Sequence, residues 1–567
     1  MRMIFNFLKI LKRAKNINIF YFFILSTIFY TSFLIFYLAY DIVQSPDFEK
    51  YIQYLLFYDG QITSTGLEQG NLYFYLTYIT SFLINKTIPN LTTNEILNIS
   101  IHFLNSLVII FGLIGLFKYL SLKEFHKKNI YKSLILIIFL PQLTVIRLSF
   151  KPEILAFAFL GWLFYLLEKY KNNKVEYYLF QFVFLLAILF TSKVSTALMV
   201  GLVLLIEIIF HHKYLFSKKY LKFYLLFFLC VSSLSIENYF LNDKLITQVE
   251  HDVKYDNKAD LNFFTSFNSQ DIIANPNRYF FSGSFVGIIL LDTNGDFFKL
   301  YWDSEYTELN KERLNFFVVN DTDNYNSIPN INFDKSTSTL RISANVDNRH
   351  KDKNHENESR ARLGMYLTIV FYTTILLSLF FKAKAKVLIL SPLVGVLIVA
   401  LSASGIFINN FDPKVGDSLK TFYYGFFVVV SVCILICKFF DKFNIPKKTI
   451  TIVFLIVQMF LLGFPFNYSQ DTYEDMHYKN SILPFCEFNN NFVWDIFNTE
   501  RQSNCNHETF EFTIDSNKKR FEPIKNAEPL IFASFFNRLP IINILFLFLI
   551  GLMAYFIRSK TKKGIYD

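Results

Sequence analysis

The chain has 567 residues, of which 53% are hydrophobic and 18% charged, against about 25% charged in an ordinary soluble domain. Phenylalanine alone supplies 70 positions, a load of large apolar rings that suits a bilayer and excludes a cytosolic enzyme, a secreted disulfide scaffold and a disordered chain. The formal charge of +10 comes from Lys and Arg beside apolar runs, as the positive-inside rule predicts, and does not imply a nucleic-acid partner.

The first apolar run, 17–40, follows a tail 1–16 carrying Arg2, Lys9, Lys12, Arg13 and Lys15. It is too long for a signal-peptide core and no small-residue cleavage site follows, so it reads as an uncleaved first span. Next come candidate spans 96–118, 132–149, 152–168, 177–193, 194–211, 221–240, 363–381, 387–408, 421–439, 449–466 and 531–557, about twelve in all. The fold class is therefore an all-α polytopic membrane protein. The stretch 71–84 (NLYFYLTYITSFLI) is short for a span and is assigned by loop charge. If it does not cross, the Lys clusters at 123–128, 169–174, 213–219, 382–386, 442–448 and 560–563 all fall on the side of the basic N-terminal tail. It is therefore read as an interfacial helix.

That topology gives a core 17–240 with a long outer loop 41–95, an outer region 241–362, further spans over 363–466, an outer segment 467–530, and a last span with a tail over 531–567. Both termini are cytoplasmic and the protein sits in a bacterial inner membrane. Segment 318–360 is polar and reads as a mobile loop. Segment 275–303 is apolar but interrupted by Asp292, Asp296, Lys299 and Asp303, and reads as a re-entrant or interfacial element in which Arg278 and Asp296 are candidate ligand contacts. Cys230, Cys433 and Cys437 lie in apolar runs and read as small core residues. Cys486 and Cys505 share one outer segment and are placed to close a disulfide loop. No CxxC or Cys/His cluster suggests zinc, His211 and His212 read as solvated loop residues, and no metal-ligating set is legible. Walker A, GxSxG and HExxH motifs are absent, so a nucleotide-driven pump or a soluble-type hydrolase has no support.

The candidate chemistry lies at the outer ends of the spans. Asp41, Asp47 and Glu49 follow the first run, and Phe48, Tyr51, Ile52, Leu55 and Leu56 recur at helical spacing behind Asp47. An acidic residue there is favoured by the helix dipole as a plain cap, and it is equally a carboxylate held at the membrane surface as a general base. Arg147, Lys151, Lys193, Lys414 and Lys420 are cations at outer span ends, where each serves as an interfacial anchor or as a contact for an anionic group. Lys151 and Glu153 flank Pro152 in a tight turn, either paired with each other or turned to a ligand.

One long first outer loop, an acidic residue after the first span, two in-plane helices and about a dozen spans resemble the GT-C superfamily of membrane glycosyltransferases. The pattern runs over roughly 17–215 in SPDFEKYIQYLLFYDG, EQGNLYFYLTYI, RLSFKPEILAFAFLGWLFYLLEKY and LFTSKVSTALMV. The resemblance implies an inverting enzyme that transfers a sugar from a polyprenyl-phosphate donor to a glycan, lipid or protein acceptor at the outer face. It implies Asp47, with Asp41 second, as the catalytic carboxylate, and Glu49, Arg147, Lys151, Glu153, Lys193, Arg278, Asp296 and Lys420 as substrate contacts. Many relatives carry two adjacent acidic residues in the first outer loop. Here Asp47 and Glu49 are one residue apart, so the resemblance leaves open whether a divalent metal, Mg or Mn, takes part. Two alternatives stand beside this one. An O-antigen-type polymerase or ligase would depend on Arg278, Arg313, Arg341 and Arg349, and a lipid-linked-glycan transporter on a carboxylate in mid-membrane.

Overall fold

The architecture was read from a computed structural model, which describes residues 48–60, 72–88, 91, 93–148, 150–242, 261–265, 285–293, 318–319, 331–334, 339–342, 351–380, 384–403, 424–442 and a few isolated positions beyond. Every residue whose side chain is described lies in a helix or in a turn between helices. Among the described residues, three helices are long and apolar enough to cross a membrane: Ile99–Leu122, Val194–His211 and Arg362–Phe380. The expected runs 17–40 and 531–557 lie outside the described stretches, save two isolated helical positions in the latter.

Two helices occupy the expected outer loop 41–95: α1 (Phe48–Tyr58) and α2 (Leu72–Thr87). Their shared face is aromatic. Tyr54 stacks on Phe74 with ring centroids 4.2 Å apart, and Phe150 meets the edge of Phe74 at 5.5 Å. α1 ends where Gly60 takes a positive φ of 85°, open to glycine without strain. Asp59, just before it, accepts a hydrogen bond from the Tyr78 hydroxyl at 2.9 Å, fastening the end of α1 to α2.

α3 (Thr93–Leu122) and α6 (Ile154–Asn173) form the centre. They cross so closely that a Cβ on Gly161 would fall 2.5 Å from the Leu116 nitrogen and 2.8 Å from the Gly115 carbonyl carbon. Small residues at a crossing let backbones touch where apolar solvent gives helices no hydrophobic reason to associate. Trp162 locks the pair from the side, donating its indole N–H to the Phe111 carbonyl at 2.9 Å and stacking on the Phe111 ring.

The expected span 132–149 is two helices, α4 (Lys127–Ile138) and α5 (Pro141–Leu148), each too short to cross. Pro141 is the reason. It lacks an N–H to continue α4 and suits the first position of a new helix. α6 closes at Lys174, held left-handed at φ 56° with its N–H on the Tyr170 carbonyl. α7 (Glu176–Ser192) and α8 (Val194–His211) are joined by Lys193 alone, in extended conformation. Two short 3-10 turns then lead into α9 (Leu221–Asn242).

In the region expected to lie outside, α10 (Leu261–Thr265) and α11 (Phe285–Asp292) are short, and the described part of 275–303 is the eight-residue α11 and Thr293 after it. Gln142 of α5 donates to the Thr293 carbonyl just beyond it. Within 318–360, expected to be a mobile loop, the backbone instead forms strands β1 (Val318–Val319), β2 (Ile331–Asp334) and β3 (Thr339–Ile342) and the first turns of α12 (Lys351–Leu377). With β4 (Phe512–Thr513) the strands pair antiparallel in the order β2-β3-β1-β4. α13 (Lys386–Ala403) and α14 (Gly425–Lys442) pack where Gly395 admits the Tyr424 side chain. Cys230, Cys433 and Cys437 are buried free thiols, as their apolar surroundings predict.

Candidate functional site

Arg147 lies in the last turn of α5, Lys151 and Glu153 in the α5–α6 connection, and Lys193 at the α7–α8 joint. Arg147, Lys151 and Glu153 are 4%, 3% and 1% exposed, which removes the reading of Arg147 and Lys151 as interfacial anchors with solvated heads. Glu153 faces Lys193 at 3.4 Å rather than Lys151, its neighbour across Pro152. Glu153 is the N-cap residue of α6 and Lys193 that of α8, so the ion pair joins two helix N-termini.

A polar chain runs into the same place from α2 and α3. The Tyr73 hydroxyl donates to Asn105 Oδ1 at 2.8 Å, and Asn105 Nδ2 donates to the Arg147 carbonyl at 2.8 Å. Burial pushes the Tyr73 phenol well above its ordinary range, and its hydroxyl also senses the Glu153 carboxylate and the Lys151 backbone N–H. Sequence reasoning missed Tyr73 and Asn105. Their signal is a polar atom on the buried face of an apolar helix, which periodicity alone does not separate from a core contact.

Besides Lys193, which pairs with Glu153, two cations close to Glu153 in the chain, Arg147 and Lys151, are buried. Neither Glu153 oxygen nor the Thr196 hydroxyl, all buried, has a hydrogen-bond partner. A cation as the N-cap of α8 is disfavoured by the helix dipole by about 0.3–1 kcal/mol. Helix N-termini and buried cations together form the surroundings that an anionic oxygen group takes.

A second buried polar group lies at the other end of α6 and α8. Glu168 is fifteen residues along α6 from Glu153, about 22 Å at helical rise. It pairs with Lys123 at 2.5 Å, and His212 Nε2 lies 3.7 Å from Glu168 and 3.8 Å from Glu207. His212 is fully buried, which corrects its reading as a solvated loop residue. Glu168, Glu207 and His212 place one ligand atom each within 4.8 Å of one another. The pairing joins positions 44 residues apart, too far for a sequence motif to reveal.

Asp41, Asp47, Arg278, Asp296, Lys420, Cys486 and Cys505 lie outside the described residues. The backbone of Glu49 lies in the first turn of α1, directly after Asp47 in the chain. No protein-family model, curated protein or solved structure matches the chain.

Proposed function

We propose that this chain is an integral membrane glycosyltransferase of GT-C type, with about twelve spans in a bacterial inner membrane and both termini cytoplasmic. It transfers a sugar from a polyprenyl-phosphate donor to a glycan, lipid or protein acceptor on the outer face. The observation that carries the reading is the buried pair of Glu153 and Lys193 at the N-termini of α6 and α8, with Arg147 and Lys151 buried just before α6 in the chain.

The chemistry follows from those charges. The acceptor hydroxyl gives its proton to the Asp47 carboxylate as its oxygen attacks the anomeric carbon. The bond from that carbon to the phosphate oxygen breaks, and its electron pair leaves with the lipid phosphate, inverting the anomeric centre. The leaving phosphate gains negative charge, so cations that meet it in a dry site lower the barrier more than they favour the ground state. Glu153 keeps Lys193 placed while the site is empty. A donor phosphate that shares that ammonium group with Glu153 leaves neither anion buried without a counter-charge.

The test is sugar transfer by the purified protein in liposomes, offered a panel of polyprenyl-phosphate sugars, with wild type beside Asp47→Asn. The reading expects transfer from one donor and its loss in the variant at equal folded yield. Full activity in Asp47→Asn removes the assigned base. Wild-type protein that turns over no donor with any acceptor overturns the proposal.

A further inference from the structure

Beyond that reading, and at the opposite end of the same helices, we infer that Glu168, Glu207 and His212 form a site for one divalent transition-metal ion of the zinc class, with His211 at its border. The argument begins with His212. Its side chain is fully buried, and its Nε2 has no hydrogen-bond partner. The nearest carboxylate oxygens stand at 3.7 Å on Glu168 and 3.8 Å on Glu207, too far for hydrogen bonds and close to the separation of two ligands on one ion. With bonds of about 2.1 Å, tetrahedral ligand atoms lie about 3.4 Å apart. The two histidine–carboxylate separations exceed that spacing by a few tenths of an ångström.

The surroundings match a ligand set. His212 Nδ1 lies 3.2 Å from the Tyr214 hydroxyl, the outer contact that orients a ligating imidazole; with the hydrogen on Nδ1, the Nε2 lone pair faces the carboxylates. Glu207 turns one oxygen to His212 and the other to His211 Nε2 at 4.0 Å. His211 is about half exposed, so it borders the route by which an ion enters. An imidazole with two carboxylates favours zinc, cobalt or iron over magnesium, which prefers oxygen ligands alone.

Lys123 pairs with Glu168 through Oε1. Two carboxylates buried beside a fully buried imidazole are a setting in which a divalent ion serves as shared counter-charge.

The experiment uses the full chain in detergent, stripped with chelator and titrated with zinc alone, then with cobalt(II) alone. The expected result is one ion per chain, cobalt absorption of the intensity given by four-coordinate sites, and zinc affinity at least about tenfold above that for magnesium. His212→Asn lowers zinc affinity by about 10–100-fold or more, and Tyr214→Phe by about tenfold through lost orientation. Removal of a buried ligand can prevent folding, so Tyr214→Phe and the wild-type stoichiometry carry the test in that event. Zinc bound equally by wild type and His212→Asn, or wild type that binds neither ion, overturns the site. None of these readouts depends on sugar transfer, so this inference and the proposed activity fail separately.

Discussion

Glu153 and Lys193 meet at 3.4 Å across two helix N-termini, and the carboxylate is far more deeply buried than the lysine. A buried charge deprived of its partner is costly, whereas removal of both charges is not. Glu153→Gln and Lys193→Met are each expected to destabilise the protein by about 3–5 kcal/mol, and Glu153→Leu with Lys193→Met by much less than the sum. Denaturant unfolding of all three variants in one detergent checks this, and simple additivity would contradict the pairing.

Lys151 and Arg147 are assigned to the phosphate of the donor. A charge-assisted hydrogen bond in a buried site contributes about 1.5–3 kcal/mol. Lys151→Met is expected to raise the donor KM about tenfold or more, with a smaller change in the acceptor KM. Steady-state kinetics with donor and acceptor varied in turn separate the two, and an effect confined to the acceptor would reassign the residue.

Gly161 has no room for a methyl group, because its Cβ would sit 2.5 Å from a backbone nitrogen of α3. Backbone cannot step aside as a flexible side chain does. Gly161→Ala is expected to cost about 3 kcal/mol, the upper end for overpacking. Gly201 faces open space, and Gly201→Ala is expected to be neutral or to stabilise by up to about 1 kcal/mol. Thermal midpoints of the two variants give the contrast directly.

Tyr78 holds its phenolic proton well above the ordinary range, first through burial and then through the Asp59 carboxylate beside it. The unfolded phenol titrates near pH 10. The stability from this group is therefore fully present below about pH 10 and is lost as pH rises towards the elevated folded value. Tyr78→Phe should lose less stability than wild type between about pH 10 and 11, with a difference in slope of at most about 1.4 kcal/mol per pH unit. Equal slopes would mean that the hydroxyl is hydrated in the native state.

Much of the helical framework is legible in the sequence because apolar runs of span length admit few other structures. The cations at 147, 151 and 193 are legible as well, since a charge between two apolar runs stands out. Their partners are not legible. Local spacing pairs Lys151 with Glu153 across Pro152, and only the packing of α6 against α7 and α8 brings Glu153 to Lys193. His212 is the plainest loss. It follows a second histidine and precedes a lysine in a polar turn, and nothing local reveals the two glutamates that enclose it. The break at Pro141 was readable from proline chemistry, yet the continuous apolar run around it outweighs that one residue in any window average.

The joint at Lys193 has a mechanical consequence. Two helices share a single connecting residue, so no slack separates them. A change of the backbone angles at that residue swings α8 as a rod about its outer end. The far end, where His211 and His212 sit, is eighteen residues on, about 27 Å at helical rise. A tilt too small to disturb the packing near the pivot becomes a displacement of ångströms there. Occupancy at one end of the helix and geometry at the other are thereby tied by leverage alone.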